Sequence, residues 1–247
     1  IITKRAPIRN EKVYMEYYVL PESRNGAEGL MNEAEKYLDF YTNIFGVYPW
    51  LNEKFGIVET PYLGMEHQTI IAYGNKYKKT KMGYDGLLFH EMGHEWWGNF
   101  LSVSDWSDFW IPEGFTTYAE ALYIEENFGV TAYHAFMQNT CRKNIRNDKP
   151  LVGNKYATTD EIKGTEYYYK GAYVLHMLRY LVGYDVLLET LNDYLYTPKS
   201  NNNQTTTKEF IKLLEGNSKM ELSWFFNQFV YSEKLPTLYS KSRSYKK

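Results

Sequence analysis

The order of local patterns along the chain predicts an α+β fold, with a small N-terminal sheet followed by a mostly helical part. Two observations carry that reading. Runs rich in β-branched and aromatic residues fall early, the last of them being "QTIIAYG". From about residue 83 onward, apolar residues recur at helical spacing almost throughout. A third observation places chemistry near the junction: His90 and His94 stand four residues apart, with Glu91 directly after the first.

Taken in order, "EKVYMEYYVL" reads as a strand closed by Pro21. From about Gly29 to Phe45, the residues Ala34, Tyr37, Leu38, Tyr41 and Phe45 form one face of a helix that Gly46 ends. "KFGIVET" and "QTIIAYG" are two further strands, separated by the connection "PYLGMEH". Helices are then expected over roughly 84–99, 113–127, 131–146, 166–183, 185–196, 207–215 and 221–230. The polar run "TPKSNNNQTTT" is an exposed loop whose threonines suit the cap of the next helix.

Composition narrows the function. A chain of 247 residues can bury one large core. Its formal net charge of −2 and lack of recurring basic blocks argue against nucleic acid or an anionic membrane as main partner. The single cysteine, Cys141, excludes an intrachain disulfide and a cysteine-based zinc ribbon. No apolar run is long enough to span a membrane. The first residue is Ile1, so the piece is expected to come from a longer chain and the missing signal segment is uninformative.

Residues i and i+4 of a helix share a face, so His90 and His94 can aim at one point with Glu91 on its flank. Two imidazoles beside a carboxylate base suit a zinc ion and the activation of a water. Catalytic zinc usually takes a third protein ligand. His134 and His176 lie on later helices and read as ordinary packed residues. "DFWIPEGFTTYAEALYIEE" is the better source. Pro112 suits the first turn of a helix, which puts Glu113 where the backbone dipole favours an anion. Glu120, seven residues on, returns to the same face as an outer hydrogen-bond acceptor. On these residues alone, an acidic helix start with a solvated face is the simpler reading of both.

"HEMGHEWWGNF", then eighteen residues between His94 and Glu113, then "EGFTTYAE" resembles the zinc signature of the aminopeptidase N family. Leukotriene hydrolase-type enzymes belong to the same family. Its pattern is H-E-x-x-H, eighteen residues, then a liganding glutamate within N-E-G-F; Pro112 stands here where Asn is usual. The resemblance implies a thermolysin-like metallopeptidase domain at 21–232, with a small mixed sheet ahead of the helices. By the same resemblance, residues 1–20 end a preceding β-domain or form a linker strand, and 233–247 begin a following domain that is cut short. The flanking domains of the full-length chain are then missing partners.

The resemblance also distributes roles. It implies one zinc per chain, held by His90, His94 and Glu113 with water as fourth ligand, and Glu91 as general base. The family's exopeptidase motif G-x-M-E-N falls on Leu63, Gly64, Met65, Glu66 and His67, so Gly64 and Met65 line the substrate and Glu66 holds its free amine. Leu63 and His67 depart from the motif. The Y-x-K-G-A pattern selects Tyr168 among three consecutive tyrosines as donor to the oxyanion. The function implied is a zinc-dependent aminopeptidase acting on peptides with a free N-terminus. Its rivals are a leukotriene hydrolase-like epoxide hydrolase with peptidase activity and a catalytically silent scaffold.

Overall fold

The computed structural model describes residues 1–197, 199 and 202–234. Strand β1 (Ile2–Ile8) pairs antiparallel with β2 (Glu11–Tyr18). Alternation in β2 sends Val13, Met15 and Tyr17 into the core. Helix α1 (Arg24–Phe45) follows and buries Leu30, Ala34, Tyr37, Leu38, Tyr41 and Phe45. It starts five residues before the expected Gly29 because its two early glycines weaken the helical pattern. Gly26 has a packing reason, since a Cβ there would collide with the ring of Tyr77.

Three short strands come next: β3 (Phe55–Glu59), β4 (Gly64–Met65) and β5 (Ile70–Tyr73). The sheet runs β1-β2-β3-β5-β4. The β2/β3 and β3/β5 pairs are parallel and the β1/β2 and β4/β5 pairs antiparallel, so the sheet is mixed. β4 corrects the reading of "PYLGMEH" as connection only: Gly64 and Met65 pair with Tyr73 and Ala72 and form one edge of the sheet. β1 and β2, which make up most of residues 1–20, lie in the same sheet as β5, and Ala6 and Ile8 belong to the same buried core as α1.

The helical part holds α2 (Gly86–Gly93), α3 (Trp110–Phe128), α4 (Val130–Phe136), α5 (Glu166–Val182), α6 (Tyr184–Tyr196), α7 (Thr207–Ser218) and α8 (Ser223–Phe229). Thr206 caps α7 in a reciprocal box with Glu209, as the threonine run suggested. Two expected helices are shorter than their periodicity. After His94 the backbone bonds widen, with the N–H groups of Asn99, Phe100 and Leu101 reaching the carbonyls of His94, Glu95 and Trp96. The expected 131–146 helix likewise passes from α4 into a π-turn at Met137–Arg142. The spacing of apolar residues does not distinguish these windings. No helix among the described residues is long and apolar enough to cross a membrane. The expected start of a following domain lies, from residue 235 on, outside the described residues.

Candidate active site

α2 is fixed at its start. The Asp85 carboxylate accepts from the Leu88 N–H at 3.1 Å and is itself held by the Tyr73 hydroxyl and, at 2.8 Å, by the Asn75 amide. One turn of helix then brings the Nε2 atoms of His90 and His94 to 3.1 Å from each other. Each outer nitrogen is committed. His90 Nδ1 faces Glu120 Oε1 at 2.9 Å, and His94 Nδ1 faces the Trp97 carbonyl at 2.9 Å. Both partners only accept, so each Nδ1 carries a proton, and each ring, once its Nε2 is deprotonated, offers that lone pair to the shared space.

Glu113 sits in the first turn of α3, with Oε2 at 3.2 Å from His90 Nε2 and 3.4 Å from His94 Nε2. One ligand atom from each of the three lies within 4.8 Å of the others. Burial alone would raise the Glu113 pKa, but the two imidazoles overcome it and hold the carboxyl well below the usual range. Burial opposes charge on His94, yet Glu113 outweighs it and lifts that imidazole to about 9. Two imidazole nitrogens and one carboxylate oxygen match the donors of zinc sites that keep one position open. These residues could hold that ion.

Glu91 is buried beside the cluster, and its pKa is raised chiefly by that burial, against the pull of His90 and His94. Glu66 reaches the same place from the sheet, since ligand atoms of Glu66, Glu91 and His94 also lie within 4.8 Å of one another. Gly64 explains the close approach of β4 to α2: a Cβ there would collide with Glu91 Oε1. Met65 is exposed at the cleft. Tyr168 stacks on His90 with ring centroids 5.8 Å apart, and burial and then the Glu113 charge raise its phenol pKa. Tyr167 instead packs in the core, edge-on to Phe109, while Tyr169 lines the cleft. His176 is half-buried against Tyr133, whereas His134, expected to be packed, is exposed.

Sequence reasoning missed the residues that set these distances. A Cβ on Gly114 would lie 2.8 Å from the Gly171 Cα, so α3 and α5 touch backbone to backbone. That contact brings Tyr168 against Glu113. Gly93 on α2 makes room for a side chain of α1, since a Cβ there would collide with the Tyr41 hydroxyl. All three helical glycines were visible as costly residues within helical patterns. The cluster opens into a cleft of about 810 Å³ lined by Leu63, Gly64, Met65, Glu66, Tyr168 and Tyr169 among others.

The profile described as Peptidase family M1 domain matches residues 30–229. The chain belongs to peptidase family M1. The matched part of this M1 domain contains every residue of the cluster described above. Among curated relatives, the chain is 26 % identical over 202 residues to endoplasmic reticulum aminopeptidase 2 of Homo sapiens. That match takes in 74 % of the chain but 21 % of the relative, so the chain spans about a fifth of its length. Among solved structures, the fold resembles an M1 zinc metallopeptidase from Deinococcus radiodurans (TM-score 0.74, 24 % identity, 96 % of this chain, 52 % of that one). It also resembles aminopeptidase A of Legionella pneumophila in complex with aspartic acid (TM-score 0.79, 17 % identity, 94 % of this chain, 28 % of that one). These M1 structures bear out the thermolysin-like α+β expectation for the fold.

Proposed function

We propose that the chain is the catalytic domain of a zinc-dependent aminopeptidase that removes the N-terminal residue of peptides. The observation that carries the reading is the convergence of His90, His94 and Glu113, with Glu91 and Glu66 reaching the same few ångströms from two different elements. His90, His94 and Glu113 would hold one zinc ion, and Glu120 and the Trp97 carbonyl would keep the two imidazoles in the liganding tautomer. Zinc bound there supplies a Lewis acid that polarises the scissile carbonyl and makes a water more acidic.

The chain's own groups do the rest. Glu91 takes the proton of the attacking water and passes it to the leaving amine. Burial raises its pKa, which makes it a better base than an exposed carboxylate. Tyr168 donates a hydrogen bond to the carbonyl oxygen as that atom gains charge. Its own high pKa keeps the proton on the phenol for this purpose. Glu66 pairs with the substrate ammonium, an interaction that an internal peptide bond cannot offer. Gly64 and Met65 form the edge along which the substrate lies.

The test is a paired assay of a free-amine aminoacyl-arylamide and its N-acetylated counterpart. The free-amine compound should be cleaved and the blocked one left nearly intact, with Glu66→Ala narrowing the gap. Equal cleavage of both would remove the amine-anchor role. An epoxide substrate run alongside tests the leukotriene hydrolase-like alternative, and absence of all turnover in the zinc-loaded protein would favour a silent scaffold.

A further inference from the structure

Thr69 has a backbone conformation unusual for its side chain. Its φ is +59°, in the left-handed region that β-branched residues rarely enter. It belongs to a turn in which the Ile70 N–H reaches the His67 carbonyl at 3.1 Å, and that turn follows Glu66 directly. Three contacts keep Thr69 in place. Its carbonyl accepts from the Gly56 N–H at 2.8 Å and from Lys54 Nζ at 3.1 Å. Its N–H donates to Glu95 Oε1 at 2.8 Å.

Glu95 is wholly buried and follows His94 immediately. The Trp50 indole and the Asn99 side-chain amide lie beside its carboxylate. Those two donors and the Glu95 Oε2 atom are all buried without a full hydrogen bond among the described residues. Burying a carboxylate without an adjacent Lys or Arg is costly, and an apolar side chain would fill the same space without that cost. What an apolar residue lacks is an acceptor for the one backbone N–H that the left-handed turn presents. Strained backbone of this kind persists only where its surroundings over-determine it.

We infer that Glu95 is a positioning residue: through Thr69 it holds the turn that presents Glu66, tying the substrate's amine anchor to the segment that carries His94. The inference rests on the proposed role of Glu66. Adjacent residues of one segment then serve two purposes, with His94 facing the metal cluster and Glu95 facing the sheet.

The purified, zinc-loaded protein provides the test. Glu95→Ala should raise KM for a free-amine aminoacyl-arylamide by about tenfold, with kcat and zinc content changing less. It should also speed hydrogen exchange at the Thr69 amide. Glu95→Gln keeps an acceptor in the same place and should keep both KM and amide protection near wild type. Thr69→Gly added to Glu95→Ala should bring KM back down, because glycine enters the left-handed region unaided. Glycine fills no cavity, so a purely structural role for Glu95 would show no such rescue. Where Glu95→Ala does not fold, Glu95→Met keeps the volume, drops the acceptor and carries the same expectations. An unchanged KM, or a raised KM that Thr69→Gly leaves untouched, would overturn the inference. Glu66→Ala separates the two claims. If it raises KM while Glu95→Ala does not, only the inference on Glu95 falls. If Glu66→Ala itself leaves KM and amine selectivity unchanged, the anchor reading falls and the inference with it.

Discussion

A carboxylate beside two imidazoles can act as ligand or as base, and Glu91→Gln separates the two. The substitution keeps shape but cannot accept a proton at neutral pH. Zinc content should stay near one per chain while turnover drops by about 10²–10⁴-fold; loss of the metal would make Glu91 a ligand instead. Tyr168→Phe should lower kcat by roughly 10²–10³-fold with KM little changed. Tyr169→Phe is the sharper control, because Tyr169 also lines the cleft; a larger loss there would move the oxyanion role by one residue. Zinc uptake should depend on pH as well. In the metal-free protein burial opposes charge on His94, but Glu113 prevails and lifts its pKa to about 9. Below that value zinc must displace a proton, so apparent affinity should rise with pH towards 9, and calorimetry in different buffers at neutral pH should register proton release. At this scale His90, His94 and Glu91 were legible from spacing alone. Glu113, Glu66 and Tyr168 needed the family pattern, since a single glutamate or tyrosine says little. Glu95 was not legible, because its partner is a backbone N–H whose availability depends on a turn made elsewhere in the chain.

Helices α3 and α5 carry the acidic ligand candidate and the tyrosine, and they meet at Gly114 and Gly171. Gly171→Ala places a methyl group 2.8 Å from the Gly114 Cα, a distance that backbone cannot absorb without moving. We expect a loss of about 1–3 kcal/mol in stability from such overpacking. Activity should fall further than stability alone explains, because Tyr168 retreats from Glu113. A thermal midpoint equal to wild type together with full activity would refute the tight-contact account. Element identity was legible where the spacing of apolar residues was long and regular, as in α5 and α6. Element ends were not. The wider winding after His94 and after Phe136 preserves apolar spacing while changing which carbonyl each N–H reaches.

Across the whole molecule the switch from strand-like to helix-like spacing was enough to order the architecture, but β4 escaped because two residues are too few to show alternation. One acid-sensitive contact lies well away from the cluster. The Tyr133 hydroxyl bonds to His176 Nδ1 at 2.7 Å, joining α4 to α5. Burial first, then His134 and Arg179, lower the His176 pKa from 6.5 to about 4. The unfolded chain therefore binds this proton at higher pH than the folded one. The stability it contributes is complete above pH 6.5 and is lost as the pH falls towards 4. Denaturation midpoints measured across that window should drop more steeply for the wild type than for His176→Gln. Parallel curves would place the acid sensitivity in other groups.

The meeting of β4 with α2 also sets a length. On the proposed reading, Glu66 marks where the substrate begins and Glu91 with His94 marks where it is cut. Ligand atoms of all three lie within 4.8 Å of one another. Consecutive Cα atoms of a peptide stand about 3.8 Å apart, so on that reading an anchor this close to the cut leaves no room for a second residue between them. The number of residues released per turnover is then counted by the separation between a strand edge and a helix, whatever side chain the substrate brings.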